Sequence, residues 1–179
     1  MIVIMTGLPG TGKSTLARAL AERLAGAVLD KDVIRAALFP PAHVEYSQAQ
    51  DDFCQEIMLQ TAAYLLAKDG SLCILLDGRT FSRRYQRERA IGFCSQVGTT
   101  WAMLECVCAE QTALERLAEA AAQHTHPAVN RTPELYNEIR KMWEPIDCAR
   151  LVVDTDASLD ACVEQALGYL TGVPNQASR

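Results

Sequence analysis

Gly7-Leu8-Pro9-Gly10-Thr11-Gly12-Lys13-Ser14, continued by Thr15, stands between an apolar run over residues 2–6 and a stretch where Leu16, Ala17, Leu20, Ala21 and Leu24 recur at helical spacing. The octet satisfies G-x-x-x-x-G-K-[ST] and has the strand before it and the helix after it that the pattern requires. Glycines let successive backbone N–H groups turn inward around a phosphate, and the positive end of the following helix adds to that field. Gly7, Leu8, Pro9, Gly10, Thr11, Gly12, Lys13, Ser14 and Thr15 are therefore the expected nucleotide-binding residues. Lys13 would bridge the β- and γ-phosphates, and the Ser14 hydroxyl would ligate Mg²⁺.

Outward from this loop, short apolar runs alternate with helical patterns. Strands are expected at 2–6, 27–29, 72–76, 100–107 and 151–153, and helices at 13–25, 32–38, 48–68, 82–96, 110–122, 133–143 and 158–170. Ser47 would cap the long helix, and Thr132-Pro133 reads as a cap followed by proline at the first helical position. Alternating strands and helices predict an α/β domain on a parallel sheet, spanning 1–172, with a loose polar tail at 173–179.

A chain of 179 residues with 49% apolar and 22% charged residues is expected to form one ordinary globular domain. The formal charge of −5 disfavours broad nucleic-acid binding, which leaves a basic footprint. Seven cysteines, an odd count without a secretion signal, fit reduced thiols, and Cys106-Val107-Cys108 reads as strand core. The apolar start is too short and lacks the basic flank of a signal peptide, and no apolar run reaches spanning length. A cytoplasmic protein without a membrane partner is expected, as a monomer or homodimer.

A phosphate loop that works with Mg²⁺ needs an acidic residue at the end of a neighbouring strand, and Asp77 closes the run Leu72-Cys73-Ile74-Leu75-Leu76. Asp32 and Arg35 lie three apart just past the second strand, and so share one face of a short helix. Open parallel sheets bind ligands beyond the strands' carboxyl ends, which puts this pair at the same crevice as the loop. There Asp32 could accept a hydroxyl proton, with Arg35 favouring its ionised form. Taken alone, the pair reads equally as a helix cap and a solvated surface ion pair.

The segments GLPGTGKSTLAR, LDKDVIRAAL, CILLDGRTFSRRYQRERA, HPAVNRTPELYNEIRKMWEP and VVDTD resemble the AAA-like predicted P-loop kinases. These are related to the kinase domain of polynucleotide kinases and, more distantly, to zeta-toxin and antibiotic phosphotransferases. The resemblance implies ATP-dependent phosphoryl transfer to a hydroxyl, on the P-loop NTPase fold with a five-stranded parallel sheet and a small helical lid. It makes Asp32 the general base and Arg35 an acceptor- or phosphate-contacting residue. It also aligns Arg116 and Arg131 with the family's phosphate-side arginines, the lid being residues 123–143. Where related sequences read D-A-T-F, this chain has Asp77-Gly78-Arg79-Thr80-Phe81, and the added Arg79 leaves open a negatively charged acceptor.

The remaining features are less specific. His124 and His126 have no third ligand nearby and read as loop residues, while Arg140 and Lys141 rank below Arg116 and Arg131. Arg83, Arg84, Arg87 and Arg89 form either a solvated helical face or a docking face for a polyanion. No N-K-x-D guanine-reading motif is present, so ATP is the expected nucleotide. The acceptor pocket is expected to draw on residues 36–50, with Phe39, His43, Tyr46 and Gln48. Three readings follow: a kinase for a small hydroxylated molecule, a 5′-hydroxyl polynucleotide kinase, and an ATP-binding regulatory module.

Overall fold

The computed structural model describes residues 1–123 and 132–173. In chain order the elements are β1 (Ile2–Thr6), α1 (Lys13–Arg23), β2 (Ala27–Asp30), α2 (Lys31–Leu38), α3 (Gln48–Lys68), β3 (Ile74–Asp77), α4 (Arg84–Gln96), β4 (Trp101–Val107), α5 (Glu110–Gln123), α6 (Pro133–Lys141), β5 (Leu151–Asp154) and α7 (Leu159–Thr171), with a short 3₁₀ turn at Pro41–His43. The five strands form one sheet in the order β2-β3-β1-β4-β5, every neighbouring pair parallel. This is the five-stranded P-loop architecture expected above.

Burial on both faces explains why the strands read as unbroken apolar runs rather than alternating ones. Val3 and Met5 of β1 pack with Leu75, Leu104 and Val153 against Leu16 and Leu20 of α1 and Val163 and Leu170 of α7. Ile2 and Ile4 turn to the other face and pack with Ile74, Leu76 and Met103 against Met58 and Leu59 of α3 and Phe93 of α4. The chain leaves β1 in one direction through α1 and returns through α3 and α4 on the opposite face. The strand order therefore reverses at β1, where ligand crevices form in open α/β sheets.

The helix boundaries follow from their caps. Ser47 Oγ accepts from the Gln50 amide at 3.2 Å, and Thr132 Oγ1 from the Leu135 amide at 3.3 Å, with Pro133 opening α6. Strand ends differ from expectation by one or two residues, most at the neighbouring β2 and β3: β2 continues to Asp30, and β3 starts at Ile74 and continues through Asp77. The reason is their mutual ladder, whose last register pair is Asp30 with Asp77. Cys106 lies in the core of β4 as expected, and burial pushes its thiol up to about 12. Among the described residues, no helix is long and apolar enough to cross a membrane.

The basic run at α4 is for the most part the solvated face expected, with Arg84 and Arg89 exposed and Arg83 half-buried, and Arg87 is the exception. Arg87 is buried and donates to the Phe81 carbonyl at 2.8 Å and the Pro145 carbonyl at 2.7 Å, joining α4 to the chain after α6. Arg83 pairs with Glu144, Arg84 with Asp147 and Arg89 with Glu56. Each guanidinium at the surface thus already has a carboxylate beside it.

Candidate active site

The loop between β1 and α1 is shaped by the protein as much as by any ligand. Gly10 has φ +80°, and a Cβ there would lie 2.4 Å from the Ala113 carbonyl oxygen on α5, so no other residue fits. Gly12, also left-handed, sets the entry into α1. Lys13 is buried, and its ammonium donates to the Leu8 carbonyl at 2.6 Å across the loop. Gly10, Gly12, Lys13, Ser14 and Thr15 line a cavity of about 420 Å³ together with Arg18 and Arg116. Gly7, Leu8 and Thr11 face another cavity behind the loop, and Pro9 lies on the side toward α2.

Arg116 reaches this site from α5. Its guanidinium donates to Thr155 Oγ1 at 3.0 Å and to the Thr155 carbonyl at 2.8 Å. Thr155 in turn donates to the Thr11 carbonyl at 3.1 Å, tying the segment after β5 to the phosphate loop. Gly12, Thr15, Arg116, Thr155, Ala157 and Leu159 enclose a smaller hollow. The 153–156 segment therefore stands against the phosphate loop. Thr155 and Arg18 carried no signal of their own in the sequence.

Asp77 is buried, and neither of its carboxylate oxygens has a hydrogen-bond partner among the described residues. Such a group is costly unless a cation or water reaches it. An oxygen-preferring divalent cation fits this donor. Beside it in the sheet is Asp30, which no motif in the sequence singled out. It is a cap: its Oδ1 accepts from the Asp32 amide at 2.8 Å and the Val33 amide at 3.4 Å. Gly78, at φ +80°, leaves room for it, since a Cβ there would lie 2.5 Å from Asp30 Oδ1.

Burial first, then the charge of Asp77, raises the Asp30 carboxyl above the usual carboxylate range. A folded-state value above the unfolded one means that ionised Asp30 opposes folding at neutral pH. That opposition is relieved as pH falls through the raised value toward the ordinary one. Asp30→Asn keeps an oxygen for the α2 cap, so it is expected to stabilise the nucleotide-free protein at about pH 7 and to give no gain near pH 4. Urea unfolding at both pH values reads this out, and an equal effect at both would contradict it.

Because Asp30 caps α2, Asp32 is released from that role, and the capping alternative for Asp32 is set aside. Asp32 and Arg35 are 4% and 2% exposed, so their ion pair is buried rather than solvated. Arg35 Nη1 donates to Asp32 Oδ1 at 2.8 Å, as the three-residue spacing predicted. Pro9, Lys13, Lys31, Asp32, Tyr46 and Asp51 line a cavity of about 100 Å³, with Gly78 and Thr80 below and Leu135 and Ile139 of α6 above. Of the four pocket residues expected from 36–50, Tyr46 lies on this wall. Phe39 packs edge-on against Phe53, His43 receives Gln50 through its carbonyl, and Gln48 reaches Tyr85.

Arg79 is buried and ties the segment after β3 to α3. It donates to the Asp51 carbonyl, Gln55 Oε1, Asp52 Oδ1 and the Tyr85 hydroxyl at 2.5 to 3.2 Å. Arg140 pairs with Glu110 at the surface. Arg131, His124 and His126 lie outside the described residues.

Solved structures share this fold. The chain is 24% identical to a provisionally assigned kinase of Chloroflexus aurantiacus, covering 93% of this chain and 96% of that one, with a TM-score of 0.73. The Mycobacterium tuberculosis APS kinase, in complex with AMPPNP and APS, is 20% identical over 96% of this chain and 97% of that one, with a TM-score of 0.72. A cytidylate kinase of Serratia proteamaculans is 29% identical over 116 residues, 63% of this chain and 49% of the relative. The chain thus spans about half the length of the curated relatives it matches. These likenesses give it a P-loop kinase-like fold. The family model described as AAA domain matches residues 2–132, and the chain belongs to that family.

Proposed function

We propose that this protein is an ATP-dependent kinase that transfers the γ-phosphoryl group to a hydroxyl of a small-molecule acceptor. The observation that carries the reading is that Lys13 of the phosphate loop and the buried Asp32 open on one cavity. An attacking hydroxyl in that cavity would give its proton to an Asp32 carboxylate oxygen. Its oxygen would bond to the γ-phosphorus while the bond to the β–γ bridging oxygen breaks and ADP departs. Arg35 orients Asp32 and favours its charged form, and Lys13 offsets charge on the β- and γ-phosphates. Ser14 and Asp77 would hold Mg²⁺, which when bound neutralises phosphate charge. Arg116, locked on Thr155, would position the nucleotide at the far side of the loop.

An ADP-release screen over sugars, nucleosides, amino alcohols, antibiotics and a 5′-hydroxyl oligonucleotide at low salt tests this reading. Acceptor-dependent release with a small hydroxylated compound is the expected result. Transfer to the oligonucleotide alone would make this a polynucleotide kinase, a reading weakened by the paired arginines of α4. Slow ATP hydrolysis that no acceptor accelerates would indicate a regulatory module instead.

A further inference from the structure

Apart from Lys13, which the proposed function assigns to the nucleotide phosphates, the cation lining the acceptor cavity is Lys31, and it and the adjacent Arg35 are already held by carboxylates that the protein supplies. Lys31 Nζ donates to Asp51 Oδ1 at 2.9 Å and lies 3.3 Å from Asp32 Oδ1. The Arg35 guanidinium grips Asp32 with one terminal nitrogen and Asp51 Oδ1 with the other. Both cations come from α2, whereas Asp51 comes from the first turn of α3, across the cavity wall. A further buried cation nearby, Arg79, is matched by the next residue, Asp52, at 2.5 Å. The two cations of α2 thus stand between two carboxylates of the protein. One of these, Asp32, is the proposed base, and the other has no part in the transfer.

This inference rests on the reading that the cavity takes the acceptor. We propose that Asp51 fills the seat in which an anionic substituent of an acceptor would be held, and so restricts the site to uncharged acceptors carrying at least two hydroxyls. An incoming phosphate or carboxylate would find Lys31 and Arg35 engaged and would lie against two carboxylates where water is scarce. Like charges so placed select strongly against a partner. A neutral polyol meets no such barrier. One hydroxyl faces Asp32, and a second donates to the lone pairs that Asp51, 27% exposed in its side chain, keeps open to the cavity. The Tyr46 ring on the same wall, with the Arg35 guanidinium 5.0 Å from its centroid, offers a flat face for the carbon skeleton.

Asp51→Asn keeps an oxygen for Lys31 and Arg35 while removing the charge, whereas Asp51→Ala would leave both cations without that partner. The first arm of the test titrates inorganic sulfate into protein saturated with Mg·AMPPNP, so that the phosphate loop is already filled. Asp51→Asn is expected to bind sulfate about tenfold or more tightly than the wild type. The second arm compares ADP release with ribose against ribose 5-phosphate, and with glucose against gluconate. The wild type should favour the uncharged member of each pair, and Asp51→Asn should narrow that preference about tenfold. Equal sulfate affinity in the two proteins, or a wild-type preference for the charged members, overturns the proposal. Transfer to no compound of the wider acceptor screen, with the sulfate difference present, would sink the kinase reading and leave the placement of Asp51 standing.

Discussion

Asp32→Asn will bind ATP as tightly as the wild type and transfer its phosphoryl group about 10²- to 10⁴-fold more slowly. The size follows from the role proposed for the side chain: a positioned carboxylate can take the hydroxyl proton as the new bond forms, and an amide cannot. Binding is spared because the residue lies on α2, on the acceptor side of Lys13, and is not among the residues lining the cavity beside Ser14, Thr15 and Arg116. Asparagine is the right replacement here. It keeps an oxygen for Arg35, whereas alanine would strand a buried guanidinium whose Nε already lacks a partner among the described residues. Single-turnover transfer and a fluorescent-nucleotide titration, run on the same preparation, separate the two effects. Wild-type transfer by the mutant would show that Asp32 is not the base.

Lys13→Met should lose about 3 to 4 kcal/mol of transition-state stabilisation, or about 10²- to 10³-fold in kcat. Unlike Asp32→Asn, it should also weaken nucleotide binding. The ammonium is buried, held at the Leu8 carbonyl, and lines both the phosphate-side and the acceptor-side cavities. A charge placed there acts on phosphate oxygens in the ground state and more strongly as charge spreads in transfer. Lys13→Arg is not expected to restore the rate, because a planar fork cannot occupy the place of a compact ammonium inside the loop. Full activity in Lys13→Arg, or unaltered kcat in Lys13→Met, would contradict this account.

The loop, the five-stranded parallel sheet implied by the resemblance, and the positions of Asp32, Arg35 and Asp77 were legible in the residues. Each depends on short-range rules. A glycine pattern tied to one strand and one helix, a three-residue spacing on a helix face and an acid at the end of an apolar run all keep their meaning wherever the rest of the chain goes. The helix caps at Ser47 and Thr132 were legible for the same reason, since a cap bonds within three residues of itself.

The partners of charged side chains were not legible. Arg79 suggested a charged acceptor and turned out to hold α3. Arg87 looked like surface charge and turned out to be a buried strut. Asp51, with no motif around it, meets Lys31 and Arg35 from another helix. The cause is physical. An arginine or aspartate carries the same letter whether water or a second ion satisfies it, and the choice depends on which elements the fold brings together. The sequence by itself determined that a phosphate loop stands on a parallel α/β sheet, with Asp32 and Arg35 on one helix face and Asp77 at a strand end. Only the tertiary structure decided which charges cancel one another in the acceptor crevice, because those pairs join helices far apart in the chain.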